Sequence, residues 1–438
     1  MNNIINRLVG VIGNGQTVPS EFESNYYHLY LEITGFGILN GSTIAFLSVF
    51  AARLGASETQ VGLLTAVPAI VNLAFALPAA RFLEKTATGK AVFWSSILQR
   101  IFYLFLIPLP FFLLPKQEVW TIIAITLIMS IPGTALAIGA NALIGEAVVP
   151  EWRGFVVGIR NAFFSVATIL AALICGEILN RVIFPIGYEI VFAIGFLGAA
   201  YSSYHLGKVH PINNMVIGPS VKYVSINQHG ERFAKNIQRK NDIVGKWLVD
   251  QKNNLRLDIL KGSYGRVITV LFAFHLFQYL SIPLFPIYMV QAVHFSDQTI
   301  SLGNAMFYVT DFLGSMQLAR MSSRLGNQKV TGLGVMLLGS YPILLSLSKG
   351  LGMLLLTSAM GGLAWALAGG ALYNYLLDKS PACDRPAHLA WYNLALNAAI
   401  LIGSLSGPAI SQLIGIRTAL MIFGVGRFLT GIFVISYG

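Results

Sequence analysis

Charged residues and cysteines are both scarce in this chain of 438 residues. Only 11% of the residues are Asp, Glu, Lys or Arg, and there are 2 cysteines. An ordinary soluble domain carries about 25% charged residues, so the composition argues against a soluble enzyme or binding module. Cys175 falls in a predicted membrane span and Cys383 in a polar loop. The sequence therefore predicts neither a disulfide nor a cysteine metal site.

The short motifs of catalysis are also missing. The sequence has no GxxxxGK[ST] phosphate-binding loop, no HExxH motif and no GxSxG motif. We therefore expect no cofactor, no bound metal and no enzymatic activity, and no ATP-driven pump in particular. Residues 1–25 lack the apolar stretch of a signal peptide, so we expect the first span itself to direct membrane insertion.

Long hydrophobic runs, in contrast, are abundant, and 55% of the residues are hydrophobic. A helix needs about 20 mostly apolar residues to cross a bilayer. By this rule the sequence predicts twelve spans, at residues 26–52, 58–82, 91–114, 119–147, 154–179, 184–206, 265–291, 297–322, 329–348, 351–377, 386–412 and 416–436. An even number of spans places both termini on the same side of the membrane.

The positions of Lys and Arg predict which side that is. Most of the 29 basic residues fall in the N-terminal arm and in every second loop. The opposite loops hold only Arg53, Lys116, Arg181, Lys349 and Arg417. By the positive-inside rule both termini are cytoplasmic, and we expect the protein in the plasma (inner) membrane. The net charge of +11 thus reflects topology, and we expect no nucleic-acid partner. We expect a monomer in the lipid bilayer.

The predicted organisation has four parts. A cytoplasmic arm (1–25) precedes a six-helix bundle (26–206), and a basic cytoplasmic linker (207–263) precedes a second six-helix bundle (264–438). Apolar residues from Phe233 to Leu248 recur on one helical face of the linker. This pattern predicts an amphipathic helix that either lies on the anionic inner leaflet or packs on the protein.

The two halves repeat each other at the same charged positions. The segment from Ser57-Glu58 to Lys90 aligns without a gap on the segment from Ser296-Asp297 to Lys329. Each half also has an acid, six residues and then an arginine, as Glu146 to Arg153 and as Asp378 to Arg385. Such internal repetition in a hydrophobic chain predicts a duplicated helical membrane bundle.

Twelve spans, this duplication and the basic central loop resemble the major facilitator superfamily over nearly the whole chain. The family's motif after helix 2 reads Gly-x-x-x-Asp-Arg-x-Gly-Arg-Arg, and here its counterparts are Ala76 to Lys85 and Ser315 to Arg324. The central Arg81 and Arg320 are kept, whereas the Asp of the motif is replaced by alanine in both halves. The resemblance implies an all-α membrane protein with two pseudo-symmetric six-helix bundles, and it puts gating through that Asp in doubt.

The spacing of acid and arginine is similar to that in the sugar-porter branch of the same family. There the acid that ends helix 4 pairs with the loop arginine and with the arginine after helix 2. Carried over by position, the resemblance implies two cytoplasmic gate clusters that lock the inner side in the outward-facing state. They are Arg81, Glu146 and Arg153 in one half and Arg320, Asp378 and Arg385 in the other. The alternative is six solvated loop charges.

Polar residues at membrane depth face the bundle interior or a wet cavity. Span 8 has the clearest polar face, formed by Ser301, Asn304, Tyr308, Asp311 and Ser315. Asp311 lies near its middle, and loss of water around a carboxylate favours the protonated form. We therefore predict that Asp311 couples transport to protons, or else that it is permanently paired with an arginine. Glu32 and His275 are secondary proton candidates.

Further polar residues on spans 4, 5, 7, 8, 10 and 11 predict a substrate cavity. These are Asn141, Arg160, Asn161, Ser165, Gln278, Asn304, Tyr308, Trp365, Asn393 and Asn397. Arg160 is the preferred contact for an anionic group, although its side chain could instead reach the inner membrane surface. The other side chains either bind substrate or join helices by hydrogen bonds.

The sequence therefore predicts a secondary transporter that moves a small polar or amphipathic organic solute by alternating access, coupled to protons. Two alternatives stay open. One is a flippase for lipid or lipid-linked sugar, and the other is a non-transporting sensor built on the transporter fold. The residue types do not specify the solute.

Overall fold

A computed structural model describes residues 20–149, 152–212, 256–381 and 384–438. All regular elements within these ranges are helices. The N-terminal half contains α1 (Ser20–Leu39, Asn40–Ile44 and Ala45–Arg53), α2 (Glu58–Lys85), α3 (Thr88–Arg100, Phe102–Leu106 and Leu109–Phe112), α4 (Pro115–Ala147), α5 (Arg153–Arg181) and α6 (Ile186–Leu206). The C-terminal half contains α7 (Ser263–Ser281, Leu284–Ile287 and Tyr288–Ala292), α8 (Asp297–Leu325), α9 (Asn327–Leu347), α10 (Leu351–Lys379), α11 (Arg385–Ile414) and α12 (Ile416–Tyr437).

Ten of these helices are long and apolar enough to cross a membrane. The other two are α3, which is interrupted near Pro108 and Pro110, and α8, which carries the polar face described above. Proline removes a backbone donor and clashes with the preceding turn, which accounts for the break between Leu106 and Leu109. The predicted all-helical membrane fold of twelve spans in two bundles is confirmed.

The sequence repeat has a structural counterpart at the start of α2 and α8. The Ser57 hydroxyl accepts a hydrogen bond of 3.3 Å from the backbone N–H of Gln60, and the Ser296 hydroxyl accepts one of 3.2 Å from that of Thr299. A serine in this position satisfies one of the free N–H groups of the first helical turn. The two aligned serines therefore start equivalent helices in the two halves.

The hydrophobic core is shared by the halves at one end of the molecule and divided at the other. One cluster of buried residues combines α1 and α7 side chains such as Phe50, Leu284 and Ile287. At the opposite end each half has a cluster of its own, around Leu143 in the N-terminal half and Leu376 in the C-terminal half. We call the shared end the Arg53 end and the divided end the Arg81 end, after the residues located there.

The linker prediction cannot be compared with the structure, because the predicted amphipathic helix at 233–248 lies outside the described residues. A short helix, Asp258–Lys261, follows that gap and leads into α7. α1 begins at Ser20, before the predicted start of the first bundle at residue 26. The four proposed boundaries remain predictions.

Candidate functional site

A cavity of about 400 Å³ lies between the two halves. Its apolar lining includes Leu47 and Leu64 of α1 and α2, Met129 of α4 and Ile400 of α11. Its polar lining includes Asn72, Tyr279 and Asn397 from α2, α7 and α11. A space bordered by both halves with mixed apolar and polar walls is the usual form of a small-molecule site.

Two asparagines join the halves at the middle of this cavity. The Asn72 amide donates to Asn397 Oδ1 over 3.3 Å, and the Thr134 hydroxyl donates to Asn72 Oδ1 over 2.7 Å. Asn397 also donates to the backbone oxygen of Asn393 over 2.9 Å. The sequence predicted Asn397 but missed Asn72, although an amide inside an apolar span is itself a signal of a functional position.

The polar face of α8 lies against the N-terminal half. The Tyr308 hydroxyl accepts a hydrogen bond of 2.7 Å from the Asn40 amide, and the Tyr308 ring meets the Phe164 ring edge-on at 6.2 Å. Nearer the Arg53 end, the Ser301 hydroxyl donates to the backbone oxygen of Ala172 over 2.6 Å. Asn40 was not predicted; it belongs to the π-helical stretch Asn40–Ile44, and such stretches are frequent at functional sites.

Asp311 lies one turn from Tyr308 on this face and is partly buried. Among the residues that the structure describes, none forms a hydrogen bond or an ion pair with the Asp311 carboxylate. The permanent arginine pair that the sequence left open is therefore not the arrangement seen here. The Asp311 carboxylate therefore has no positively charged partner within 4.0 Å among the described residues.

The Arg53 end is closed by polar contacts between the halves. Arg53 forms an ion pair with Asp297 at 2.9 Å and also donates to the backbone oxygen of Phe295. The Gln291 amide donates to the backbone oxygens of Ala52 and Ala56 over 3.1 and 3.0 Å. These contacts lie beside the shared apolar core and seal the cavity on that side.

The Arg81 end differs from the Arg53 end, because the apolar clusters of the two halves are separate there. Within the described ranges, no hydrogen bond or ion pair connects the halves on that side of the Asn72–Asn397 contact. The six predicted gate residues are all exposed, and none of their predicted acid–arginine pairs is within 4.0 Å.

The gate acids have other partners in this conformation. Glu146 accepts from the Thr88 hydroxyl over 3.1 Å, and Asp378 accepts from the Asn327 amide over 2.8 Å. Arg153 donates to backbone oxygens of its own half. Because the gate was predicted for a state in which this end is closed, the separation of its members here does not test it, and the gate remains a prediction.

Glu32 lies in a buried cluster of the N-terminal bundle. Its carboxylate pairs with Arg160 at 2.8 Å and with Arg100 at 3.7 Å, and accepts from the Ser202 hydroxyl over 3.0 Å. Arg100 also donates to the Ser203 hydroxyl over 3.1 Å. The structure thus brings two separately predicted residues, Glu32 and Arg160, into one ion pair.

His275 and Gln278 lie on α7 in the C-terminal bundle, and both are buried. His275 Nε2 is 3.0 Å from the Tyr392 hydroxyl, and its Nδ1 has no partner among the described residues. The backbone oxygen of Gln278 accepts from Arg427 over 2.9 Å. Arg427 is buried and also donates to the backbone oxygen of Leu338 over 3.2 Å, so it fastens α12 to α7 and α9.

The remaining predicted cavity residues differ in exposure. Ser165 is buried on α5, and Asn304 is partly buried on α8. The others are exposed on α4, α5, α10 and α11, and they are Asn141, Asn161, Trp365 and Asn393. No group of three or more metal-ligating side chains occurs in the part of the chain that the structure describes.

Comparison with known proteins identifies a family of membrane proteins that includes this chain. The family model described as Major Facilitator Superfamily matches residues 33–214 and 267–437. No curated protein matches the chain.

Several solved structures have a similar fold. A D-xylose–proton symporter has a TM-score of 0.69 and 16% identity, covering 95% of this chain and 98% of its own. The xylose transporter XylE from E. coli in a partially occluded inward open conformation has a TM-score of 0.65 and 17% identity, covering 95% and 97%. The nucleoside transporter NupG has a TM-score of 0.63 and 11% identity, covering 96% and 99%. At these identities the similarity extends to the fold alone.

Proposed function

The chain belongs to the major facilitator superfamily, whose members are membrane transporters rather than enzymes, and we propose that it is a proton-coupled secondary transporter. Its cargo is a small polar or amphipathic organic solute, carried by alternating access. The observation that carries the proposal is the cavity bordered by both halves, with polar contacts between the halves at the Arg53 end and none among the described residues at the Arg81 end. The Asp311 carboxylate, which has no partner among the described residues, lies on the face of α8 that contacts the N-terminal half.

The distribution of basic residues supports the orientation. Loops at the Arg81 end hold most of the Lys and Arg residues, so the positive-inside rule makes this end cytoplasmic. In that orientation the conformation is inward-facing, with both termini in the cytoplasm. We place the protein in the plasma (inner) membrane as a monomer.

The opposite, outward-facing state requires the Arg81 end to close. We propose that Glu146 then meets Arg81 and Arg153, and that Asp378 meets Arg320 and Arg385 by the internal repeat. Carboxylates shared between guanidinium groups form strong, directional hydrogen bonds. Glu146→Gln should therefore shift the population toward the inward-open state. If neither transport nor labelling of the cytoplasmic side changes in this variant, the gate hypothesis is wrong.

Proton coupling is assigned to Asp311 because this carboxylate lies on the polar face of α8, close to the Tyr308–Asn40 contact between the halves. Movement of the halves would change its access to water and hence its proton affinity. Glu32 is a weaker candidate, because its carboxylate already forms ion pairs with two arginines. His275 is weaker still, because it lies buried against Tyr392.

The cavity lining limits the solute class. Amides and phenol groups at Asn72, Asn397 and Tyr279 offer hydrogen bonds without net charge, beside apolar side chains. Arg160, the predicted anion contact, is engaged by Glu32, so an anionic solute would have to compete with that carboxylate. This arrangement favours a neutral polar or amphipathic solute.

The test uses the full chain reconstituted in proteoliposomes loaded with buffer and exposed to a mixture of small metabolites. An imposed proton gradient should drive accumulation of at least one solute, identified by mass spectrometry. Asp311→Asn should abolish this uphill accumulation and leave exchange of the same solute intact. Glu84→Gln, an exposed acid outside the cavity, is the matched control. Uphill accumulation by Asp311→Asn at the wild-type level would refute the proton role.

A further inference from the structure

A second concave site lies on the outside of the C-terminal bundle, at the Arg81 end. It has a volume of about 670 Å³ and runs between the short helix Asp258–Lys261 and the facing ends of α7 and α12. We call it the α7–α12 groove and define it by Leu260, Lys261, Arg266, Thr269, Phe433 and Tyr437. It is separate from the central cavity, with which it shares no lining residue.

The groove is held in shape by the packing of the short helix. Ile259 is buried in the core of the C-terminal bundle. Gly265 allows the helix to approach α7, because a Cβ atom at this position would overlap the backbone oxygen of Leu260. Arg256 adds an ion pair of 3.0 Å to Asp258 and one of 2.8 Å to Asp384. The wall that carries Lys261 is therefore fixed on the bundle.

The polar end of the groove is positively charged. Lys261 and Arg266 are both exposed, and no carboxylate of the described residues pairs with either. The nearest acid in the chain, Asp258, is occupied by Arg256, whose hydrogen bond holds the pKa of the Asp258 carboxyl below its usual value. Two cations without a protein counterion favour an anionic ligand.

The other end of the groove continues into an apolar track on α12. Ile422, Val425, Leu429 and Phe433 are spaced by three or four residues, so they lie on one helical face. Each is about half exposed, between 47% and 50%. In a protein that spans the membrane, such an exposed apolar face meets the acyl chains of lipid. Tyr437, at 61% exposure, lies where a tyrosine typically meets the head-group layer.

We propose that the α7–α12 groove binds an anionic phospholipid of the cytoplasmic leaflet. Its phosphate contacts Lys261 and Arg266, and its acyl chains lie along the α12 track. Charge complementarity selects the anionic head group, and the apolar track selects a lipid over a free phosphate. The inference goes beyond the transport function and does not depend on it.

The test is native mass spectrometry of the full chain titrated with dioleoyl phosphatidylglycerol or with dioleoyl phosphatidylcholine. Wild type should bind phosphatidylglycerol more tightly than phosphatidylcholine. One cation near a charged lipid surface changes affinity roughly fivefold, so the double variant Lys261→Gln/Arg266→Gln should lose roughly 25-fold for phosphatidylglycerol. Its binding of phosphatidylcholine should be unchanged. The control variant Lys90→Gln/Lys329→Gln, which removes two exposed cations elsewhere at the same end, should keep wild-type binding.

A second variant, Thr269→Glu, introduces a carboxylate into the groove and should weaken phosphatidylglycerol binding by a similar factor. Thermal unfolding midpoints measured in phosphatidylcholine show which of the two groove variants keeps the wild-type fold. The lipid affinity of the folded variant is then the deciding measurement. Wild-type lipid binding by a folded groove variant would overturn the proposal. So would an equal loss in the Lys90→Gln/Lys329→Gln control, or full displacement of the lipid by an equal concentration of glycerol phosphate.

Discussion

Gly176 is a position at which closure of the Arg53 end is sensitive to one added methyl group. On α5 it faces Ser301 of α8, in the other half of the molecule. A Cβ atom at Gly176 would overlap both Oγ and Cβ of Ser301, well inside the roughly 3.5–4.0 Å at which carbon atoms pack. Rotation of the Ser301 side chain moves Oγ but leaves Cβ in place. Gly176→Ala therefore forces α5 and α8 apart.

The size of the effect follows from the cost of overpacking. Extra methyl groups in a close contact cost about 1–3 kcal/mol, and here the cost falls only on the state in which the Arg53 end is closed. The ratio of open to closed molecules at this end should rise by roughly 5- to 150-fold. Gly158→Ala, on the same helix, is the matched control, because a Cβ atom there meets nothing within 4 Å.

The assay is double electron–electron resonance with spin labels at Lys116→Cys and Lys349→Cys, both exposed at the Arg53 end, in a Cys383→Ser background. Gly176→Ala should populate a longer distance, and Gly158→Ala should not. The added substitution Ser301→Gly removes the overlapping atoms and should restore the short distance. If Gly176→Ala gives the wild-type distribution, the two halves do not meet at α5 and α8 in the way described here.

Three further substitutions probe other contacts. Arg53→Ala leaves the Asp297 carboxylate without its arginine partner, and a hydrogen bond to a charged group contributes about 1.5–3 kcal/mol. The spin labels at positions 116 and 349 should therefore report a larger fraction of molecules with the Arg53 end open. An unchanged distance distribution would contradict this. Glu32→Gln leaves the buried Arg100 and the partly buried Arg160 without a counter-charge, which should destabilise the fold by about 3–5 kcal/mol and lower the thermal unfolding midpoint in detergent. An unchanged midpoint would show that the cluster carries little stability. Asn72→Ala removes an amide that lines the cavity and joins the halves there. Because one hydrogen bond contributes about 1 kcal/mol, the KM for the transported solute should rise roughly fivefold. A KM equal to the wild-type value in transport assays would show that Asn72 is not part of the site.

The parts of the fold that follow from local patterns could be predicted from the sequence. Apolar length defined the spans, and the internal alignment placed Ser57 and Ser296 at equivalent positions, where the structure begins α2 and α8. Three- and four-residue spacing identified the polar face of α8, which the structure places against the other half. Each of these features depends on neighbours within a few turns of the same helix, so a single sequence contains the information.

The contacts between halves could not be predicted in the same way. Asn40 meets Tyr308 and Asn72 meets Asn397 across hundreds of intervening residues. Nothing in either segment alone indicates its partner. Arg53 was counted only as a loop charge, yet it closes one end of the cavity.

Residue patterns also do not indicate which conformational state a structure will show. The acid–arginine spacing repeats in both halves, but it does not say whether the Arg81 end is open or closed. The six gate residues lie apart in the structure, and their pairing in a closed state remains a prediction. A protein that alternates between two conformations forms different contacts in each, although its sequence is the same.

Alternating access is tested most directly by measuring both ends of the protein in the same samples. One spin-label pair reports the Arg53 end, at Lys116→Cys and Lys349→Cys, and a second reports the Arg81 end, at Glu84→Cys and Arg324→Cys. Across pH and added solute, the account predicts that the two distances change in opposite directions, so that one end closes as the other opens. Distances that stay fixed, or that lengthen together at both ends, would contradict it.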